Sequence, residues 1–336
     1  MRNIGGSLAA AFWLLAGALA VLPAQDLETA MQAVVRVRAT VPAEATTARG
    51  LGTEREGNGI LIGDQGLILT IGYLIVEAEA IEVEGPQGSL PAGFVAYDAN
   101  TGFGLLRAPG LAGSRPIPLG DSSAVQVGDE LHVGGFGRAA MPAQLILRGP
   151  FVGTWEYLLE DALYAAPAFP EFGGAALIQG GRLVGVGSIL TTFSLPGTGR
   201  LPCNMFVPIN LLKPILAEMV RAGRSGQPPR PWLGLNTEET EGRVVITQVT
   251  PEGPAERAGL QRGDLILAVQ QAPVNGVADF YRRLWAAGPA GVTVRLRVLQ
   301  GDRVRELSVR SADRHERLLK PSPRPRSGLT AGLPRA

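Results

Sequence analysis

The sequence predicts a mainly β chain: a large body of β-barrels or a sandwich, then a smaller α/β unit. Two observations predict it. Short strand-like runs recur from residue 33 to 210 with glycine-rich turns between them, and no βαβ rhythm interrupts the series. A stretch of Gly, Ser, Pro and Arg at 222–230 then separates that series from a segment in which strands and helical patterns mix.

The elements follow in order. "AVVRVRA" (33–39) alternates apolar and polar residues, as a half-buried strand does. "NGILIGDQGLILT" (58–70) reads as two strands around the turn Asp64-Gln65-Gly66. Runs at 80–85, 93–98, 103–108, 129–136, 175–189 and 204–210 continue the pattern. The first convincing helix is "NLLKPILAEMVRAG" (210–223), with Asn210 as its N-cap and Gly223 as its stop. These signals set a body at 27–221, a linker at 222–230 and a second unit at 231–312. In the second unit "VADFYRRLWAAG" is helical, with Phe280 and Leu284 expected in its core. The tail 313–336 holds two acids, six bases and four prolines, and is expected to be disordered.

The composition excludes several functions. Apolar residues are 46% and charged residues 18%, which describes a folded chain. A net charge of +1 gives no electrostatic case for nucleic acid. Cys203 is a single cysteine, so no intramolecular disulfide can form. The two histidines, His132 and His315, are too few for a zinc site of the usual His/Cys type. No phosphate-cradling Gly-Lys-Ser/Thr loop is present, and neither cofactor nor metal is expected. Residues 1–25 carry Arg2, an apolar run from Leu8 to Leu22, and small residues near Ala20 and Ala24. That is the layout of a secretory signal peptide, with an uncleaved membrane anchor as the alternative. The expected location is exported: periplasmic or otherwise extracytoplasmic.

Several segments then resemble one family. "GNGILIGDQGLILTIGYLIVEAEAIEV" (57–83), "DANTGFGLLRA" (98–108), "FPEFGGAAL" (169–177) and "CNMFVPIN" (203–210) are similar, in the right order, to the conserved segments of HtrA-type serine proteases. "PAERAGLQRGDLILAVQQAPV" resembles the PDZ domain of that family. The resemblance implies a chymotrypsin-like double β-barrel followed by a PDZ-like α/β domain. It places the family's histidine at Tyr73, its aspartate at Gly102 and its nucleophilic serine at Phe172. None can substitute: phenylalanine has no nucleophilic atom, tyrosine is a poor base at neutral pH, and glycine orients nothing. An oxyanion-hole N–H of the family falls on Pro170, which has none. Tyr73 with Glu171 is a remote candidate for a new acid/base pair. Tyr73, Phe172, Phe103 and Phe169 are expected to plug the old cleft as one apolar cluster.

By the same resemblance "PWLGL" (231–235) is the PDZ carboxylate-binding loop. The backbone N–H groups of Leu233, Gly234 and Leu235 would converge on a peptide's terminal carboxylate, with Trp232 and Tyr281 beside the groove. The expectation is a non-catalytic protease homologue that binds peptides or protein C-termini. Its partners would include an active protease relative or a second copy of itself. The alternative is an active serine endopeptidase of envelope protein quality control.

Overall fold

A computed structural model describes residues 24–195 and 199–318. The signal segment expected at 1–25 lies almost wholly outside the described residues, as does the tail beyond Leu318.

After a short helix α1 (Ala24–Met31), seven strands form the first antiparallel sheet: β1 (Val34–Thr40), β2 (Glu54–Gly63), β3 (Gln65–Ile71), β4 (Ala80–Gly85), β5 (Gly88–Pro91), β6 (Gly93–Tyr97) and β7 (Phe103–Ala112). A four-residue helix α2 (Ala48–Leu51) lies between β1 and β2. Their order is β5-β4-β1-β2-β3-β7-β6, and the sheet rolls up so that β4 approaches β6. The expected hairpin turn is present: β2 and β3 pair with Leu61 opposite Ile68. Alternation buries Val35, Val37 and Ala39 of β1 while Arg38 stays outside.

Six further strands close a hydrogen-bonded barrel: β8 (Glu130–Gly134), β9 (Met141–Gly153), β10 (Tyr157–Ala166), β11 (Ala176–Gln179), β12 (Arg182–Leu195) and β13 (Gly199–Pro208). The long β9–β10 hairpin extends past the barrel wall, and its tip is Thr154-Trp155-Glu156.

The expected helix 210–223 is shorter than its periodicity implies. A 3-10 turn occupies Ile209–Leu211, and the α-helix α3 (Leu216–Ala222) begins only after Pro214. Proline disfavours helical backbone at Lys213, so Asn210 cannot cap a continuous helix. Gly223 does end it, at φ 77°.

The third sheet holds β14 (Leu235–Thr240), β15 (Arg243–Val249), β16 (Leu265–Val269), β17 (Ala272–Pro273), β18 (Thr293–Gln300) and β19 (Arg303–Arg310). Helix α4 (Pro254–Arg257) leads into it and helix α5 (Gly276–Ala286) packs on it. Phe280 and Leu284 are fully buried beneath α5, as their spacing predicts. The linker is not free: the Ser225 hydroxyl donates to buried Asp98 at 2.7 Å, and Arg230 lies 4.1 Å over the Trp285 ring. The first residues of the expected disordered tail are also ordered. Arg314–Arg317 form a 3-10 turn whose Arg314 and His315 bond back to the barrels. Those contacts depend on tertiary docking, which composition does not reveal.

Candidate functional site

Two places invite chemistry: the cleft where the first two sheets meet, and the groove between β14 and α5.

In the cleft, Tyr73 lies on the 3-10 turn after β3. Its hydroxyl donates to the Ser188 carbonyl of β12 at 2.8 Å. Burial pushes that hydroxyl above the ordinary tyrosine range, so it stays protonated. Tyr73 therefore joins the two barrels as a neutral donor. The neighbouring Gly72 N–H donates to the Gly102 carbonyl at 2.7 Å, which brings the second expected position beside the first. Gly102 has φ 81°, and a Cβ there would stand 3.2 Å from the Tyr157 hydroxyl. A side chain at 102 would be strained and would crowd Tyr157.

The third position lies on the loop before β11. Asn58, 4% exposed, clamps that loop: its side-chain amide donates to the Glu171 and Gly173 carbonyls at 2.6 and 3.2 Å. Gly174 has φ 74°, and a Cβ there would lie 1.9 Å from the Asn58 carbonyl oxygen. Gly174 is thus demanded by close backbone approach. Tyr73 reaches this loop as well, for a Cβ on Gly173 would meet its hydroxyl at 2.9 Å.

The single apolar plug is not formed. Phe103 belongs to the cluster centred on the first sheet, and Phe169 to a separate cluster inside the closed barrel. Phe172 is only half-buried and joins neither. Asn204 explains the split, holding the Phe169 backbone on both its N–H and its carbonyl and turning the ring inward. Nor do Tyr73 and Glu171 pair: Glu171 forms an ion pair with Arg138. His132 sits on β8 opposite Ile178 and Pro142, with no serine bonded to its ring among the described residues. His315 contacts Asp313 and the Tyr97 carbonyl instead.

The groove is more telling. The N–H groups of Leu233, Gly234 and Leu235 do converge on a carboxylate, and it belongs to the chain itself. Glu156 Oε1 accepts from Gly234 at 2.7 Å and from Leu235 at 2.8 Å, and Oε2 accepts from Leu233 at 2.9 Å. Glu156 is 4% exposed and sits at the tip of the β9–β10 hairpin. Around it the Thr237 N–H of β14 donates to the Thr154 carbonyl at 2.8 Å. Tyr281, fully buried on α5, accepts from the Glu156 N–H at 3.1 Å. Its hydroxyl also lies 2.9 Å from the Gly153 carbonyl and 2.9 Å from the Thr237 hydroxyl. Leu158, two residues on, is buried in the apolar cluster that contains Leu233, Leu235 and Leu284. Arg314 donates to the Trp155 and Glu156 carbonyls from outside. Trp232 is bridged to Ala312, with Arg317 5.7 Å over its ring.

Sequence reasoning found the donor loop and Tyr281 but missed Glu156, Leu158 and Arg314. The structure puts Glu156 at φ 55°, a position where a hairpin favours glycine or asparagine, and a glutamate in the sequence gives no sign of that backbone. Behind it a small polar cavity of about 40 Å³, lined by Asp98, Arg224, Arg230 and Arg314, has room for about one water.

Comparison with known proteins agrees with this architecture. Residues 57–186 match the trypsin-like peptidase domain and residues 231–310 the PDZ domain. The chain is 25% identical over 270 residues to a probable periplasmic serine endoprotease, DegP-like, of Pseudomonas putida (strain W619), covering 75% of this chain and 55% of that one. It is also 25% identical over 272 residues to the protein of the same description from Bartonella henselae, covering 76% and 52%. The chain thus spans about half the length of the curated relatives it matches. Among solved structures, the HtrA-type protease AlgW with a decapeptide superposes with a TM-score of 0.53 at 20% identity, covering 88% of this chain and 98% of that one. The serine endoprotease from Yersinia pestis superposes with a TM-score of 0.52 at 22% identity, covering 88% and 97%. With a trypsin-like peptidase domain followed by a PDZ domain, the chain belongs to the HtrA-type family.

Proposed function

We propose that this chain is an exported, non-catalytic HtrA-like protein that binds peptides or protein C-termini through its PDZ groove and acts as a scaffold or regulator. The observation that carries this reading is the chemistry of the cleft. The positions that the resemblance assigns to a base, its orienter and a nucleophile carry a neutral tyrosine bonded to a carbonyl, a glycine at φ 81°, and a phenylalanine. Pro170 can supply no N–H to a developing oxyanion, and losing one such donor costs about 2.7–4 kcal/mol of transition-state stabilisation.

Export is supported by the signal-like sequence at 1–25 and by relatives named as periplasmic. Peptide handling is supported by the Leu233–Leu235 donor loop and by a structural neighbour that carries a decapeptide. Co-assembly with an active relative, or with a second copy, is the partner class this reading favours.

Purified chain incubated with fluorescent casein tests the first half. No turnover above a buffer control is expected, and no labelling by a serine-directed fluorophosphonate. Turnover abolished by that reagent would establish the competing reading, an active endopeptidase. Titration with C-terminal peptides against the same peptides amidated tests the second half.

A further inference from the structure

We infer that the β9–β10 hairpin is an internal ligand of the PDZ groove, and that a partner peptide must displace it to bind. This deepens the peptide-binding reading and rests on it.

The argument is one of chemical equivalence. The last residue of a peptide offers a groove of this kind two things at once: a free carboxylate and a side chain. Here the hairpin supplies both from residues two apart. The Glu156 carboxylate takes the three N–H groups of Leu233, Gly234 and Leu235, and Leu158 enters the apolar cluster beneath them. The bond from the Thr237 N–H to the Thr154 carbonyl adds the start of a strand alongside β14. The donors that would recognise an incoming carboxylate are therefore already satisfied.

The backbone conformation also points to a dedicated role. Glu156 stands at φ 55°, which costs an L side chain free energy that glycine would not lose. A glutamate there weakens the hairpin locally and gains its return in the groove. Burial raises the carboxyl above the ordinary glutamate value, so the ionised side chain is held at a desolvation cost. An internal ligand so held is displaceable. Its competitor by chemistry is a peptide ending in an aliphatic residue with a free carboxylate, which replaces Leu158 and Glu156 together. Release would break the Arg314 contacts to the Trp155 and Glu156 carbonyls and so loosen the seam between the PDZ domain and the barrels, leaving ties such as Arg282–Glu160 and His315–Tyr97 in place.

The test uses the full chain with two substitutions. Glu156→Gly removes the carboxylate while relieving the backbone, so the hairpin still folds. Arg314→Gln removes the outer clamp and leaves the groove residues intact. Two readouts are needed: hydrogen exchange at the Leu233, Gly234 and Leu235 amides, and fluorescence polarisation with labelled peptides ending in Leu or Val, free or amidated. We expect exchange at those amides to be at least tenfold faster in Glu156→Gly, and accelerated in Arg314→Gln. We expect free-carboxylate peptides to bind Glu156→Gly at least tenfold more tightly than wild type, and amidated peptides to bind neither. Faster exchange with no peptide binding by any form keeps the internal ligand and removes the peptide-binding reading. Unchanged exchange in both variants overturns the internal ligand, whatever the peptides do.

Discussion

Leu158 and Leu233 share one apolar cluster, although Leu158 belongs to a strand of the closed barrel and Leu233 to the carboxylate loop of the PDZ domain. Both are essentially removed from solvent, Leu158 at 3% and Leu233 at 0% exposure. A leucine of the barrel thus fills space in the core of its neighbour, and the two domains share part of their stabilising burial.

Leu158→Ala should therefore act on both domains. Truncating a buried leucine costs about 2–5 kcal/mol. Here the loss falls on docking, so the unfolding of the PDZ domain should separate from that of the barrels. Calorimetry is expected to give one principal transition for wild type and two for the variant. Arg282→Ala is the control. Its ion pair with Glu160 joins the same two domains but is exposed on both sides, 48% and 60%, and should contribute under about 1 kcal/mol. Equal effects from the two substitutions would contradict the argument.

Closure of the groove should tighten as pH falls. The Glu156 carboxyl is raised, first by burial, with Arg314 and the three loop N–H groups pulling the other way. Tyr281, the other titratable group against it, is pushed up to about 12 and stays neutral throughout. For a carboxyl raised in the closed state, the stabilisation is complete below the ordinary glutamate value of about 4.3 and is lost as pH rises through the raised value. The melting-temperature advantage of wild type over Glu156→Gly should then be largest near about pH 4 and shrink above it. Arg314→Gln, which removes a positive charge, should move that loss to higher pH. An advantage that grows with pH would reverse the sign and refute the account.

How far the sequence revealed this arrangement depends on where each contact closes. The strands and turns of the barrels are legible because alternation and glycine placement are local. Leu233, Gly234 and Leu235 are legible as donors through the resemblance of "PWLGL" to a PDZ carboxylate loop, whose recognising groups are backbone N–H. Glu156 is not legible, since its partners lie 77 to 79 residues away and meet it only when the domains dock. The order of Asp313–Leu318 escapes for the same reason. The missed start of α3 is a different failure: apolar periodicity continued through Pro214 while the backbone could not. The scattered fate of Phe103, Phe169 and Phe172 shows that aromatics close on one loop need not share a core.

Tyr73→Phe isolates the role of the cleft hydroxyl. The phenyl ring keeps its packing, but the Ser188 carbonyl loses its 2.8 Å donor in a position only 5% exposed. A buried acceptor left unpaired costs about 1–3 kcal/mol. The melting temperature should fall accordingly, while peptide binding by the groove stays unchanged. A stability equal to wild type would mean that the hydroxyl does not tie the barrels together.

Restoring the family's residues should fail to restore proteolysis. In the triple variant Tyr73→His, Gly102→Asp, Phe172→Ser, the aspartate enters a backbone at φ 81° with the Tyr157 hydroxyl 3.2 Å from its Cβ. The strain costs about 1–2 kcal/mol and turns the carboxylate away from an orienting geometry. The new histidine loses the hydroxyl that bridged to β12, and Pro170 still offers no N–H to an oxyanion. Casein turnover is expected to remain at background, and a fluorophosphonate should not label Ser at 172. A fourth change, Pro170→Gly, returns one donor but leaves the strained position 102, so any gain should stay within about tenfold of background. Robust, fluorophosphonate-sensitive turnover in the triple variant would show that the cleft had lost its side chains while keeping its catalytic geometry.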